Sequence, residues 1–118
     1  MRPLAALALL PFIATAYAAD PTVVEPAGLS GPASEDCLSF TPDGDTAVYD
    51  IASGKNVFMV ISHRKDGAWS KPEIAPFSGQ WKDHDPAVSP DGSFLVFASN
   101  RPATPGGAPQ GNWGTLWR

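Results

Sequence analysis

One short phrase occurs twice in this chain, and its recurrence restricts the fold more than any other feature. Phe40–Tyr49 reads FTPDGDTAVY and Val88–Phe97 reads VSPDGSFLVF, so Pro42-Asp43-Gly44 and Pro90-Asp91-Gly92 stand 48 residues apart. In Ser89-Pro90-Asp91-Gly92, proline suits the second position of a type I turn, because its φ is already fixed near the required value. Glycine suits the fourth, where the chain often needs φ > 0, and Ser89 can accept a backbone hydrogen bond. Thr41-Pro42-Asp43-Gly44 follows the same logic. Each phrase predicts a hairpin, with a short strand before the turn and a stronger one after it.

The strands around these turns are continuous apolar runs. Val57-Phe58-Met59-Val60-Ile61 and Phe94-Leu95-Val96-Phe97-Ala98 are short, rich in β-branched and aromatic residues, and bounded by turn residues. That pattern fits strands covered on both faces better than a buried helix. A first unit follows: strands over Asp36–Phe40, Thr46–Ile51, Val57–His63 and Ala68–Ile74, with turns at Ala52–Asn56 and Lys65-Asp66-Gly67. Pro72 places the fourth strand at a sheet edge, since proline removes a ladder donor. The pattern restarts at Asp85. A four-stranded antiparallel unit repeating at this distance predicts an all-β chain of β-propeller blades, with about one and a half blades present. A β-sandwich also has many short strands, but it does not repeat one turn at a fixed spacing.

The ends and the charge narrow the compartment and the partners. Met1-Arg2, the apolar stretch Leu4–Ile13 and Ala16-Tyr17-Ala18 form the three parts of a secretory signal peptide over residues 1–18. The apolar stretch is too short for a membrane span, and Pro11 interrupts it. A periplasmic or secreted chain is expected, with no membrane span after cleavage. Residues 19–34, rich in Pro, Gly and Ala, read as a linker or N-terminal arm. Residues 35–82 read as the first blade and 83–118 as a second, incomplete one. The chain has a net charge of −4, and losing Arg2 makes the remainder more acidic, which argues against nucleic-acid partners. A single cysteine, Cys37, allows no internal disulfide. It is expected to be a small buried apolar residue.

Asp83–Pro102, DHDPAVSPDGSFLVFASNRP, resembles the repeat of the periplasmic TolB-type propeller, the WD40-like repeat called PD40. Ser62–Ser78 resembles the linking half of such blades. Ser34–Ile51 is a weaker copy, with Cys37 and Leu38 where the second copy has Asp85 and Pro86. The resemblance implies an exported propeller acting in binding and assembly, with no catalytic residue in the repeat itself. It gives Pro42, Asp43, Gly44, Pro90, Asp91 and Gly92 structural roles in the turns, and Asp85 a role in tying down a strand end. Closed propellers have about four to eight blades, so a fragment of a longer propeller, or closure by self-association, is expected. The apolar face of Phe94–Phe97 should then be exposed.

Alternation of loops puts Phe77–Asp85 and Arg101–Gly114 on one face, and the Pro-Asp-Gly turns with the Lys65–Gly67 hairpin on the other. The first face is the expected binding face, carrying Trp81, Asp83, His84, Asp85 and Trp113 beside Lys82. The trio Asp83-His84-Asp85 invites a metal reading, but on a regular strand only Asp83 and Asp85 share a side, and further ligands are needed. The plainer reading has Asp85 satisfying backbone donors before Pro86 and His84 at the surface. His63 reads as a strand-end residue. No catalytic residue, metal or cofactor is assigned: the turns lack the sialidase-type Ser-x-Asp-x-Gly-x-Thr-Trp motif, no Gly-x-Ser-x-Gly elbow occurs, and no spaced carboxylate pair is identified. The expected function is a non-catalytic protein-interaction or cell-envelope scaffold unit. The alternative is a piece of a secreted propeller hydrolase or sugar-binding protein.

Overall fold

The computed structural model describes residues 28–29 and 31–118. The signal peptide, and all but the last few residues of the linker, lie outside the described residues. Eight strands follow one another: β1 (Ser34–Phe40), β2 (Thr46–Ser53), β3 (Asn56–Lys65), β4 (Ala68–Trp69), β5 (Glu73–Ile74), β6 (Asp83–Val88), β7 (Leu95–Ser99) and β8 (Thr115–Trp117). Every pairing is antiparallel, and there is no helix among the described residues. The first sheet runs β1-β2-β3-β4 with β5 also on β3, and the second runs β6-β7-β8. The chain is thus all-β and antiparallel, one blade-like sheet followed by a three-stranded one in a propeller-like arrangement.

Turn chemistry explains the connections. In the first Pro-Asp-Gly turn Gly44 N–H donates to Thr41 O at 2.8 Å, and in the second Gly92 N–H donates to Ser89 O at 2.9 Å. Asp43 Oδ1 accepts from Thr41 Oγ1 and Asp45 N, while Asp91 Oδ1 accepts from Ser89 Oγ and Ser93 N. The side chain thus does in both copies what a backbone acceptor would do in an ordinary turn. Between β2 and β3, Ser53 pairs with Asn56 across a two-residue loop whose first residue, Gly54, has φ 63°. That loop is tighter than the five-residue turn expected from sequence. Asp66 and Gly67 both have positive φ, as a type I′ hairpin requires.

The fourth strand differs from expectation. Ala68–Ile74 is not continuous but two short pieces, β4 and β5, separated by Ser70-Lys71-Pro72. Pro72 has no N–H to extend the ladder. Instead Ser70 bridges the gap, its N–H donating to His63 O at 2.8 Å and its hydroxyl accepting from His63 N–H at 3.0 Å.

Two apolar clusters lie on either side of the first sheet. Ala47, Tyr49 and Val60 pack with Leu29 on one side. Val48, Met59 and Ala75 pack with Phe97 on the other, which explains why β2 and β3 are apolar on both faces. Phe97 belongs to β7, so the second cluster joins the two sheets. This corrects the expected exposure of Phe94–Phe97: Phe97 is 6 % exposed. The guanidinium of Arg101 lies 4.9 Å from its ring centroid, and that of Arg118 lies 4.1 Å from the ring of Phe94. The arginine side chains cover apolar area that a further sheet would otherwise have to cover.

Candidate functional site

The sheets meet along β1 and β6, and both strands are interrupted at the same place. In β1, Asp36 pairs with Asp50 and Ser39 with Val48, so three steps on β1 oppose two on β2. In β6, His84 pairs with Ala98 and Ala87 with Val96, the same one-residue excess. The extra residue adopts the left-handed region in each, Cys37 at φ 49° and Asp85 at φ 54°. Such a conformation costs about 1–2 kcal/mol for a residue carrying a Cβ. Bulges re-aim side chains, and strained residues that persist are held by their surroundings.

Here the bulges aim at each other. Cys37 Sγ donates to Asp85 Oδ1 at 2.8 Å. Asp85 N–H, freed from the ladder, donates to Asp50 Oδ2 at 3.0 Å, and Val88 N–H donates to Ser39 Oγ at 3.0 Å. Asp85 Oδ2 lies 3.0 Å from His84 Nδ1. Trp113, on the loop before β8, stands edge-on to His84 with ring centroids 5.9 Å apart and is 79 % exposed. His84, Asp85 and Trp113 line a recess of about 360 Å³ together with Lys82 and, from the first sheet, Asp36, Cys37 and Asp50.

The electrostatics follow from three carboxylates and a thiol in close quarters. The thiol of Cys37 is pushed up to about 12, first by its hydrogen bond to Asp85, then by burial and the charges of Asp50, Asp85 and Asp36. Asp85 is held below the ordinary carboxylate range, chiefly because it accepts hydrogen bonds from the Cys37 thiol and from His84. Burial pushes Asp50 up, opposed by the hydrogen bond from Asp85 N–H.

Of the five residues expected on the binding face, His84, Asp85 and Trp113 meet in this recess. Trp81 lines a separate hollow with Phe58, Ile74 and Pro109. Asp83 is not on the face at all: it is fully buried, accepting from Arg101 Nη2 at 2.7 Å and Ser78 Oγ at 2.7 Å. The bulge is the reason. It breaks the alternation that would have put Asp83 and Asp85 on one side, so His84 and Asp85 reach the recess while Asp83 turns inward. The plainer readings need correction as well. Asp85 accepts from side chains rather than tying down backbone donors, and the His84 side chain is only 11 % exposed. Cys37 is exposed, not buried.

Arg101 also donates through Nη2 to Phe77 O and through Nε to Ser99 Oγ. Lys82 N–H donates to Asn100 Oδ1. These bonds tie the Arg101–Gly114 loop to the segment between the sheets, on the face where the loop alternation puts both. The residues that sequence reasoning did not assign to the site are Asp36, Cys37 and Asp50. A signal was present for two of them, because the 48-residue spacing sets Asp36 against His84 and Cys37 against Asp85.

Comparison with known proteins returned no match. No family model, no curated protein and no solved structure matches this chain. The likeness to the TolB-type repeat therefore rests on the motif residues themselves. No helix among the described residues is long and apolar enough to cross a membrane.

Proposed function

We propose that this chain is part of an exported, TolB-like propeller and works as a non-catalytic interaction module, docking a protein partner of the cell envelope through the recess between its two sheets. The observation that carries this reading is the convergence of His84, Asp85 and the exposed indole of Trp113 at the junction of β1 and β6. An exposed tryptophan beside a largely buried imidazole and an accessible carboxylate is the composition of an interface anchor. The carboxylate wall favours a partner segment that brings a cationic side chain. The one thiol of the recess, pushed up to about 12 by the hydrogen bond to Asp85, stays protonated and is a poor nucleophile.

A photo-crosslinking residue at position 113, in the native envelope, tests the reading. An adduct with one envelope protein is expected, weakened by Asp85→Asn and absent when the crosslinker stands at position 66 on the opposite face. Adducts from position 66 alone, or turnover of glycoside substrates abolished by changes in the recess, would replace docking with another activity.

A further inference from the structure

We propose that the turn Asp66-Gly67 is a site of spontaneous backbone modification, at which aspartate passes through a cyclic imide to isoaspartate, and that the fold confines this reaction to it. The chain contains three Asp-Gly pairs: Asp43-Gly44, Asp66-Gly67 and Asp91-Gly92. Glycine has no side chain to shield its nitrogen from the preceding carboxyl, so by local sequence the three are equivalent. Their surroundings in the structure are not.

Two of the pairs are restrained at both reacting groups. Asp43 Oδ1 accepts from Thr41 Oγ1 and Asp45 N, and Asp91 Oδ1 accepts from Ser89 Oγ, Ser93 N and Ser93 Oγ. These bonds favour the ionised carboxylate, which resists attack because it has no hydroxyl to lose as water. The nitrogens are occupied too, Gly44 N–H donating to Thr41 O at 2.8 Å and Gly92 N–H to Ser89 O at 2.9 Å. Asp66-Gly67 lacks both restraints. Among the described residues no hydrogen bond reaches the Asp66 carboxylate, and Gly67 N–H has no acceptor. Both residues are exposed, and a Cβ at Gly67 would meet nothing within 4 Å, so the loop has room to change shape.

The reaction balances with water as the only partner. Gly67 N bonds to Asp66 Cγ, and the carboxyl hydroxyl leaves with the nitrogen's proton as water, which closes the imide. Water then adds at the main-chain carbonyl carbon of Asp66 and breaks its bond to the nitrogen, so the chain runs on through Cβ and Cγ. No electron is transferred. The product lengthens the backbone of a two-residue loop whose span sets Lys65 against Ala68 and Arg64 against Trp69. Trp69 packs on the Ala47, Tyr49 and Val60 cluster and lies 5.8 Å from Phe40 between ring centroids. Isomerisation therefore loosens β4 and uncovers one side of the first sheet.

The test ages the full chain at neutral pH in heavy-oxygen water, folded and in urea, and scores peptides covering the three pairs for isoaspartate and for uptake of the heavy oxygen. In the folded chain isoaspartate is expected to form at position 66 about tenfold faster, or more, than at 43 or 91. In urea the three rates should converge. Asp66→Glu, whose longer side chain does not close this ring, should hold the melting temperature of aged protein at its fresh value, while the unaltered chain loses stability as isoaspartate accumulates. Equal rates at the three pairs in the folded chain, the same ranking in urea, or isoaspartate at 66 without heavy oxygen would overturn the assignment. No residue of this hairpin lines the recess between the sheets, so crosslinking from position 113 reads the docking proposal independently.

Discussion

Cys37 and Asp85 occupy the same place in successive repeats, 48 residues apart, and their side chains touch, with Sγ donating to Oδ1 at 2.8 Å. Equivalent positions of a repeated unit therefore meet, as neighbouring inner strands do in a radial array of sheets. The two residues are each other's main electrostatic influence, since each is the first cause of the other's shift, Cys37 upward and Asp85 downward.

That pairing sets the reactivity of the thiol. Although Cys37 is exposed, its raised pKa leaves a thiolate fraction at pH 8 far below that of a free cysteine. Alkylation of the folded protein by iodoacetamide should run slower than in the urea-unfolded chain by about tenfold or more. Asp85→Asn should speed it. Equal rates in folded and unfolded protein would show that the carboxylate does not hold the proton.

The two Pro-Asp-Gly turns share a conformation but not a neighbourhood. Gly44 and Gly92 have φ of 74° and 71°. A Cβ at Gly44 would meet nothing within 4 Å, whereas one at Gly92 would come within 3.1 Å of Pro42 Cδ. Gly44→Ala is expected to cost about 1 kcal/mol for the left-handed backbone alone. Gly92→Ala should cost about 2 kcal/mol, because the two turns must also part. Urea denaturation of the pair distinguishes a contact between repeats from two independent turns.

Acid stability should bear the mark of Asp91. Its carboxyl is lowered to about 2 by hydrogen bonds from Ser89 Oγ, Ser93 N and Ser93 Oγ. A folded-state value below the unfolded one gives stability that is present above the ordinary carboxylate range. It is lost as pH falls from about 4 toward 2. Replacing Asp91 by Asn should flatten the stability curve across that window and leave its higher-pH slope unchanged. The check is a series of melting temperatures between pH 5 and pH 2. Asp43 is shifted in the same direction by its Thr41 and Asp45 bonds, so the double variant should flatten further.

The buried pair Asp83–Arg101 offers the largest single loss. Asp83 is fully buried, and Arg101 is its one cationic partner among the described residues. Arg101→Met should destabilise by about 3–5 kcal/mol, because it leaves an uncompensated carboxylate in the interior. Adding Asp83→Asn to that variant should restore part of the loss. If the double variant is less stable than Arg101→Met by the full effect of Asp83→Asn alone, the two side chains are not energetically coupled.

Much of the fold was legible because turn chemistry is local. Pro-Asp-Gly, Asp66-Gly67 and the apolar runs each dictate a short piece of structure from residues adjacent in sequence, and the strands lie within a residue or two of where those pieces put them. The fourth strand misled because Pro72 breaks it, and sequence alone does not say that Ser70 takes over the lost hydrogen bond. The site was half legible for another reason. Simple alternation paired Asp83 with Asp85, and nothing short of the register reveals a bulge whose extra residue is a cysteine or an aspartate instead of a glycine. Once the bulge is seen, Asp36, Cys37 and Asp50 follow from it.

The backbone N–H groups that bond across the junction belong to one strand. Asp85 and Val88 of β6 donate their backbone N–H groups, and Asp50 and Ser39 of the β1–β2 hairpin accept them with side chains. Donors and acceptors alike are set in place by local pairings, Val88 with Leu95 and His84 with Ala98 in one hairpin, Phe40 with Ala47 and Asp36 with Asp50 in the other, whereas the bonds between the hairpins span 35 and 49 residues. Closing the short loops first is the entropically easier order. Each hairpin can therefore close by itself, and the docking of the two across the junction is the late, long-range step of assembly.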